Sequence, residues 1–280
     1  METKLKQLLK NKLTKKQLDL VPSSYDMVGS ILIFSDFPKE LVKKEKIIGE
    51  ALLKLHKNVK TIYKKTKKFS GEYRLPKLKI TAGKKTKETI YKENNVTLKL
   101  DIKKVYFSPR LATERKRIYK LIKNNEKVLV MFSGSGIYPI VIAKNSKPKE
   151  IYSIEINPTA YKYQKENIKL NKIKNVKLFK GDVKKILPKI IKKFDRMIMP
   201  LPKGAENFLD LTLSKIKNNG IIHFYDFIEE NKYEKIINKI EKECKKAKKK
   251  YKILNIIKCG QFSPRKYRVC VDFVVSTNQP

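Results

Sequence analysis

The run KVLVMFSGSG, residues 127–136, decides the fold: an apolar stretch passes straight into a Ser/Gly turn and then into the helix-length segment IYPIVIAKNS, residues 137–146. A short apolar run bounded by glycines has the pattern of a strand buried on both faces. Further runs of this kind follow at EIYSIEI (150–156), VKLFKG (176–181), FDRMIMP (194–200) and GIIHFYDF (220–227), each separated from the next by enough chain for a helix. Regular strand and helix alternation predicts a parallel, doubly wound sheet with crossover helices. Upstream, LATERKRIYKLI (111–122) reads as an amphipathic helix. Downstream, the helix-like 229–250 precedes YKILNIIKCG (251–260) and YRVCVDFVV (267–275), which have no helix between them and are expected as an antiparallel pair at the sheet edge.

Before residue 110 the pattern differs. A Lys-rich opening leads to MVGSILIF (27–34), expected as a strand, a helix over 39–57, and strands at VKTIYKKT (59–66) and YRLPKLKI (73–80). The stretch 88–107, ETIYKENNVTLKLDIKKVYF, has Glu-Asn-Asn at its centre and reads as a hairpin. The chain therefore divides into a small α+β domain, 1–109, and a Rossmann-like α/β domain, 110–280.

Composition narrows the partner. Lys and Arg number 67 against 27 Asp and Glu, a formal net charge of +40, with a pI near 10.0. Even when a general bias toward Lys is discounted, the excess points to a polyanion, and its spread along the whole chain favours nucleic acid over a membrane surface. No apolar run reaches the roughly 18 residues of a membrane span and no secretory segment follows the start, so a cytoplasmic protein is expected. Cys244, Cys259 and Cys270 lack metal-ligand spacing and are read as reduced core thiols, with no metal expected.

The turn after the first strand of the second domain carries Gly134 and Gly136, which let a ligand approach the backbone. Alone, that pair fits a dinucleotide, another nucleoside or a plain tight turn. Glu155 ends the next strand about 20 residues on, where a carboxylate accepts ribose hydroxyls. Asp182, after Gly181, stands at the third strand end, suited to an exocyclic amine. A dinucleotide site would have a third glycine where Pro139 stands. S-adenosylmethionine, which has no pyrophosphate, fits better.

With these residues in place, the chain resembles the archaeal and eukaryotic tRNA (guanine(37)-N(1))-methyltransferases. The matching stretches are YFSPRLATER (106–115), FSGSG (132–136), EINPTAYKYQKENIKLN (155–171), MPLPKGAENFLD (199–210) and SPRKYRVCVDF (263–273), together with their surroundings about two-thirds of the chain. The resemblance implies a Rossmann-like methyltransferase preceded by a smaller RNA-contacting domain. It also implies methyl transfer to ring nitrogen 1 of guanosine 37, with the tRNA anticodon region as partner and a monomer expected. The start looks too short for the elbow-gripping module of longer relatives. Glu114 matches the family's general base, and Arg74, in GEYRLPK, matches an arginine assisting at the target base. A helix-start carboxylate and a phosphate contact are the respective plainer readings. Tyr106 and Arg115 match cofactor-pocket positions, and Phe132, Ile156, Val183 and Pro200, beside the strand ends, complete the expected cofactor set.

Two departures stand out: Met131, where relatives end the first strand with an acid, and Pro200-Leu201-Pro202, where they have Asn-Leu-Pro. The second opens an alternative, methylation at carbon 7 of the tricyclic imidazopurine of wyosine biosynthesis. A non-catalytic RNA-binding protein of the same fold is the reading from another class.

Overall fold

The computed structural model describes residues 4–277; the first three residues of the Lys-rich opening lie outside them. Contacts divide the chain into two units: one reaches Glu93 and resumes over Thr97–Pro109, the other comprises Asn94–Val96 and the chain from Arg110 onward.

In the first unit, α1 (Lys4–Leu9) and α2 (Lys15–Asp19) lead into β1 (Asp26–Val28) and β2 (Ile31–Phe34). Thr14 caps α2 in a complete capping box with Gln17. The stretch 27–34, expected as one strand, is instead a hairpin, because Gly29 takes φ +57° and turns the chain so that Val28 pairs with Ile31. The helix expected over 39–57 begins as a 3-10 segment, Lys39–Lys44, and becomes α-helical only in α3 (Glu45–Leu55). With β3 (Thr61–Ser70) and β4 (Leu75–Gly83) the sheet runs β1-β2-β3-β4, and only β2 and β3 are parallel. Leu5, Leu9, Phe34, Ile48, Leu52 and Ile62 share its core. β5 (Glu88–Glu93) and β6 (Val96–Asp101) form the hairpin, with Asn94 and Asn95 supplying the two left-handed residues that its loop demands.

The second unit opens on α4 (Ala112–Leu121), β7 (Lys127–Val130), α5 (Ile137–Asn145), β8 (Glu150–Glu155) and α6 (Pro158–Leu170). It continues through β9 (Val176–Lys180), the single turn α7 (Val183–Ile186), β10 (Phe194–Met199), α8 (Leu209–Lys215), β11 (Ile216–Glu229), α9 (Glu234–Lys246), β12 (Lys249–Ser263) and β13 (Lys266–Thr277). Seven strands make one sheet in the order β12-β13-β11-β10-β7-β8-β9. The five strands β11, β10, β7, β8 and β9 are joined by four parallel pairings, and β13 alone runs against the rest, paired antiparallel with both β11 and β12. All six residues of β8 are buried, as a strand covered by helices on both faces requires. The sheet order reverses beside β7, whose neighbours are β8 and β10. A crevice therefore opens at the carboxyl ends of those strands.

Cys259 differs from expectation, and Met131 has a packing role of its own. Cys270 stands opposite Ile257, while Cys259 falls in a bulge between Lys258 and Gly260 and is only half-buried. Met131 is fully buried in the core with Leu129 and Met199, its sulfur accepting from Thr212 Oγ1 at 3.7 Å. A change at this position acts on apolar packing. Among the described residues no helix is long and apolar enough to cross a membrane.

Candidate active site

The turn after β7 is built by its neighbours. Met131 N–H still bonds Ile198 O and Ser133 N–H bonds Ile154 O, holding the chain between β10 and β8 as it leaves the strand. Phe132, Gly134 and Gly136 then take φ of +53°, +58° and +86°, and Gly136 caps α5. A Cβ on Gly136 would lie 3.0 Å from Gln164 Cγ, so the glycine serves close approach to α6 as well as the left-handed turn. From α6, Gln164 Nε2 donates to Ser133 Oγ and to Gly134 O, both at 2.8 Å, and Asn167 Nδ2 donates to Ser135 O at 3.1 Å. Sequence reading passed over these two amides. Their signal is there: Ala160, Tyr163, Gln164 and Asn167, at i, i+3, i+4 and i+7, form the buried face of α6, and two of the four are polar.

Glu155, 7% exposed, closes the other side. Its Oε2 accepts from Gly134 N–H at 2.6 Å and its Oε1 from Asn157 N–H at 2.8 Å. Burial pushes its carboxyl pKa up, opposed by these backbone donors and that of Ile156. Asp182 caps α7, accepting from Lys184 N–H at 2.9 Å. The structure thus brings Phe132–Gly136, Glu155, Ile156, Asp182 and Pro200 to the ends of four adjacent strands. Phe132 packs edge-on against Phe208, with centroids 4.8 Å apart. The Val183 side chain belongs to the apolar core, so that residue can offer a ligand only its backbone.

Glu114 is 5% exposed on the first turn of α4. Arg117 Nε donates to its Oε2 and Arg117 Nη2 to its Oε1, each at 2.8 Å, and Tyr225 OH donates to Oε1 at 2.6 Å. Tyr138 OH, from the first turn of α5, donates to Tyr225 at 3.3 Å, so two tyrosines link the carboxylate to the helix that Gly136 starts. Arg115 is 2% exposed. Tyr106 and Arg74 belong to the first unit; Arg74 sits between β3 and β4 at φ +50°.

S-adenosylmethionine suits these residues. A carboxylate has about four acceptor positions, and the backbone donors on Glu155 leave capacity for a ribose hydroxyl, while buried Ser135 Oγ has no protein partner. Pro139 stands where a pyrophosphate-binding turn would have its third glycine. Such a crevice defines a Rossmann-like methyltransferase that uses S-adenosylmethionine. Residues 89–254 match the TRM5/TYW2 methyltransferase domain and residues 5–86 the TYW2 N-terminal domain. The chain belongs to the TRM5/TYW2 methyltransferase family.

Among its relatives, tRNA (guanine(37)-N(1))-methyltransferase Trm5b of Pyrococcus abyssi is 43% identical over 91% of this chain and 76% of its own length. The tRNA (guanine(37)-N(1))/4-demethylwyosine(37)-methyltransferase Taw22 of Nanoarchaeum equitans is 37% identical over 89% of this chain and 98% of its own. Among solved structures, the complex of aTrm5 and tRNALeu superposes with a TM-score of 0.84 at 33% identity, covering 98% of this chain and 78% of that one. M. jannaschii TYW2 in complex with AdoMet superposes with a TM-score of 0.67 at 30% identity, covering 91% of this chain and all of the other.

Proposed function

We propose that this chain methylates ring nitrogen 1 of guanosine 37 in tRNA, engaging the anticodon region as a cytoplasmic monomer. S-adenosylmethionine, when bound, supplies a methyl group already activated on a sulfonium. The chain's own residues orient, exclude water and move a proton. Glu155 and the backbone at Gly134–Gly136 hold the nucleoside end, with Asp182 for its exocyclic amine and Tyr106, Arg115, Phe132, Ile156, Val183 and Pro200 as the remaining contacts. Glu114 takes the N1 proton of guanine: Oε1 is filled by Tyr225 and Arg117, but Oε2 receives one bond and keeps an acceptor position. Arg74 offers positive charge to the guanine carbonyl oxygen as negative charge develops there. Residues 1–109 contact RNA and 110–280 carry the chemistry.

The observation that carries this reading is the direct bond between the glycine turn and the ribose-position carboxylate, Gly134 N–H to Glu155, in a chain of this family. The test is incubation of unmodified tRNA transcript with S-adenosylmethionine, followed by nucleoside mass spectrometry. The expected product is 1-methylguanosine at position 37, and its absence refutes the assignment. Glu114→Gln cannot accept the proton and should slow single-turnover methyl transfer by about 10² or more with both ligands still bound.

Pro200 favours a second activity at the same position. Proline offers no N–H and no polar side chain, so position 200 presents a compact wall with nothing left unpaired by a larger base. The enzyme then also accepts the tricyclic imidazopurine and methylates its carbon 7. Pro200→Asn should shift product toward guanine when tRNAs carrying each base compete. An unchanged ratio removes Pro200 from substrate choice.

A further inference from the structure

The sheet of the second unit ends in an aromatic corner that the proposed chemistry does not use. Beyond Tyr225, whose hydroxyl donates to Glu114 at 2.6 Å, β11 continues to Phe227. Phe227 stands opposite Arg268 of β13 as Tyr225 stands opposite Cys270, so these four side chains share one sheet face. Phe227 is thus two residues, or about 7 Å, nearer the carboxyl end of β11 than the tyrosine that reaches Glu114. The other face of this corner is closed by α9, whose Ile236 and Ile240 share a core with Ile228 and Val269.

Phe262 completes the corner. It lies in the bulge of β12 between Gln261 and Ser263, where the register gives it no partner on β13. A bulge re-aims a side chain, and the Phe262 ring centroid lies 4.2 Å from that of Phe227 at an interplanar angle of 37°. The Arg268 guanidinium lies 5.4 Å from the Phe227 centroid. Phe227 covers one side of the Phe262 ring, yet Phe262 stays 50% exposed, although an apolar ring gains by burial. The chain around it is basic: residues 258–268 contain Lys258, Arg265, Lys266 and Arg268 and no carboxylate. The acids at the end of β11, Glu229 and Glu230, are paired with Lys232 and Lys258 at 2.6 and 3.5 Å. The β12–β13 turn is held in place, since Arg265, at φ +53°, accepts at its carbonyl from Glu230 N–H at 2.9 Å.

An exposed ring on a cationic hairpin has the chemistry of a nucleobase-stacking platform, because every base has a π face and the cations attract the phosphates. An apolar protein surface docked there would desolvate those cations without pairing them. We propose that Phe262, backed by Phe227, stacks an unpaired base of the tRNA beside the guanine at Glu114, an inference that rests on the proposed tRNA substrate. Stacking reads no base edge, so the platform orders the RNA whatever its sequence and leaves identity to the target pocket.

The chain has no tryptophan, so Phe262→Trp installs a single fluorophore on the platform. Unmodified tRNA should bind Phe262→Trp about as well as wild type and quench its emission, since the base lies on the indole face. Phe262→Ala should weaken tRNA binding about 10-fold or more, with the slope of log affinity against log salt unchanged because no cation is lost. S-adenosylmethionine affinity, read by calorimetry, should match wild type in both variants, which checks that the second unit is folded. Wild-type tRNA affinity in Phe262→Ala overturns the inference and leaves the patch to a protein partner or a second copy of the chain. A weakened Phe262→Ala beside a Phe262→Trp whose emission tRNA does not change also overturns it, because the residue then acts on the hairpin and not on a base. Failure of the wild type to bind tRNA is a different result: it removes the substrate reading, and the platform with it.

Discussion

Glu155 illustrates how one residue sets binding against stability. Its carboxyl pKa is raised above the unfolded value mainly by burial, so the folded state favours the protonated form. The sign follows: stability from this group is greatest below its unfolded pKa and falls as pH rises through the folded one. At pH 7.5 the buried anion is therefore a net cost to the empty protein. Glu155→Gln should leave the melting temperature at pH 7.5 equal to or above wild type. The same variant should lose about 1–1.5 kcal/mol of S-adenosylmethionine affinity, since a charge-assisted bond to ribose becomes a neutral one. Calorimetry and thermal melting together check this, and unchanged affinity would take Glu155 out of the cofactor site. Phe132 shows the same tension in its backbone, because a bulky residue at φ +53° carries strain of roughly 1–3 kcal/mol.

At the scale of elements, α6 is a clamp as well as a crossover. Gln164→Leu keeps the helix and its volume but deletes both donors to the glycine turn, leaving Gly134 O and Ser133 Oγ short of partners. Unfolding by urea should show a loss of about 1–3 kcal/mol, with weakened S-adenosylmethionine binding; wild-type values for both would make the clamp irrelevant. β7, β8 and β10 are legible because burial on both faces writes continuous apolar runs, and the Asn94-Asn95 loop because only a few residues accept two left-handed positions. The β1–β2 hairpin was obscured because apolar residues flank Gly29 on both sides and conceal the reversal. The glycine turn and Glu155 were legible because strand order fixes their spacing. The hydrogen bonds between distant buried side chains were not: Arg117 and Asp272 are 155 residues apart, and Glu114 and Tyr225 are 111. No local period records such a pairing. His223 lies between Asp272 and Arg196, and burial foremost lowers its pKa, aided by Arg196 and Arg117 against the pull of Asp272. A histidine kept neutral in the fold binds fewer protons than in the unfolded chain, so stability should fall as pH drops below about 6.5. Melting temperatures from pH 7.5 to 5.5 should decline in wild type, and His223→Gln should flatten that slope. A wild-type slope as flat as the variant's would mean that His223 takes up its proton alike in the folded and unfolded chain and is not kept neutral by the fold.

For the whole molecule, the formal +40 has two consequences of opposite sign. Like charges on one folded chain repel, and compactness brings them closer, so added salt should screen that repulsion and raise the melting temperature of the free protein. The same lysines and arginines attract tRNA by releasing counterions from its phosphates, and each contact contributes roughly −0.7 to −0.9 to the slope of log affinity against log salt. Raising salt should therefore stabilise the fold while weakening tRNA binding steeply, with a slope of about −3 or beyond if several phosphates are engaged. S-adenosylmethionine is a control within the same protein. In the site proposed above it is held by Glu155, Asp182 and backbone groups rather than by a field of surface cations, so its affinity should change little over the same range. Anisotropy of labelled tRNA, calorimetry with S-adenosylmethionine and thermal melting, all from 50 to 400 mM salt, separate these effects. A tRNA affinity as flat as that for S-adenosylmethionine would mean that the basic surface is not what holds the RNA, leaving shape and base contacts to account for binding.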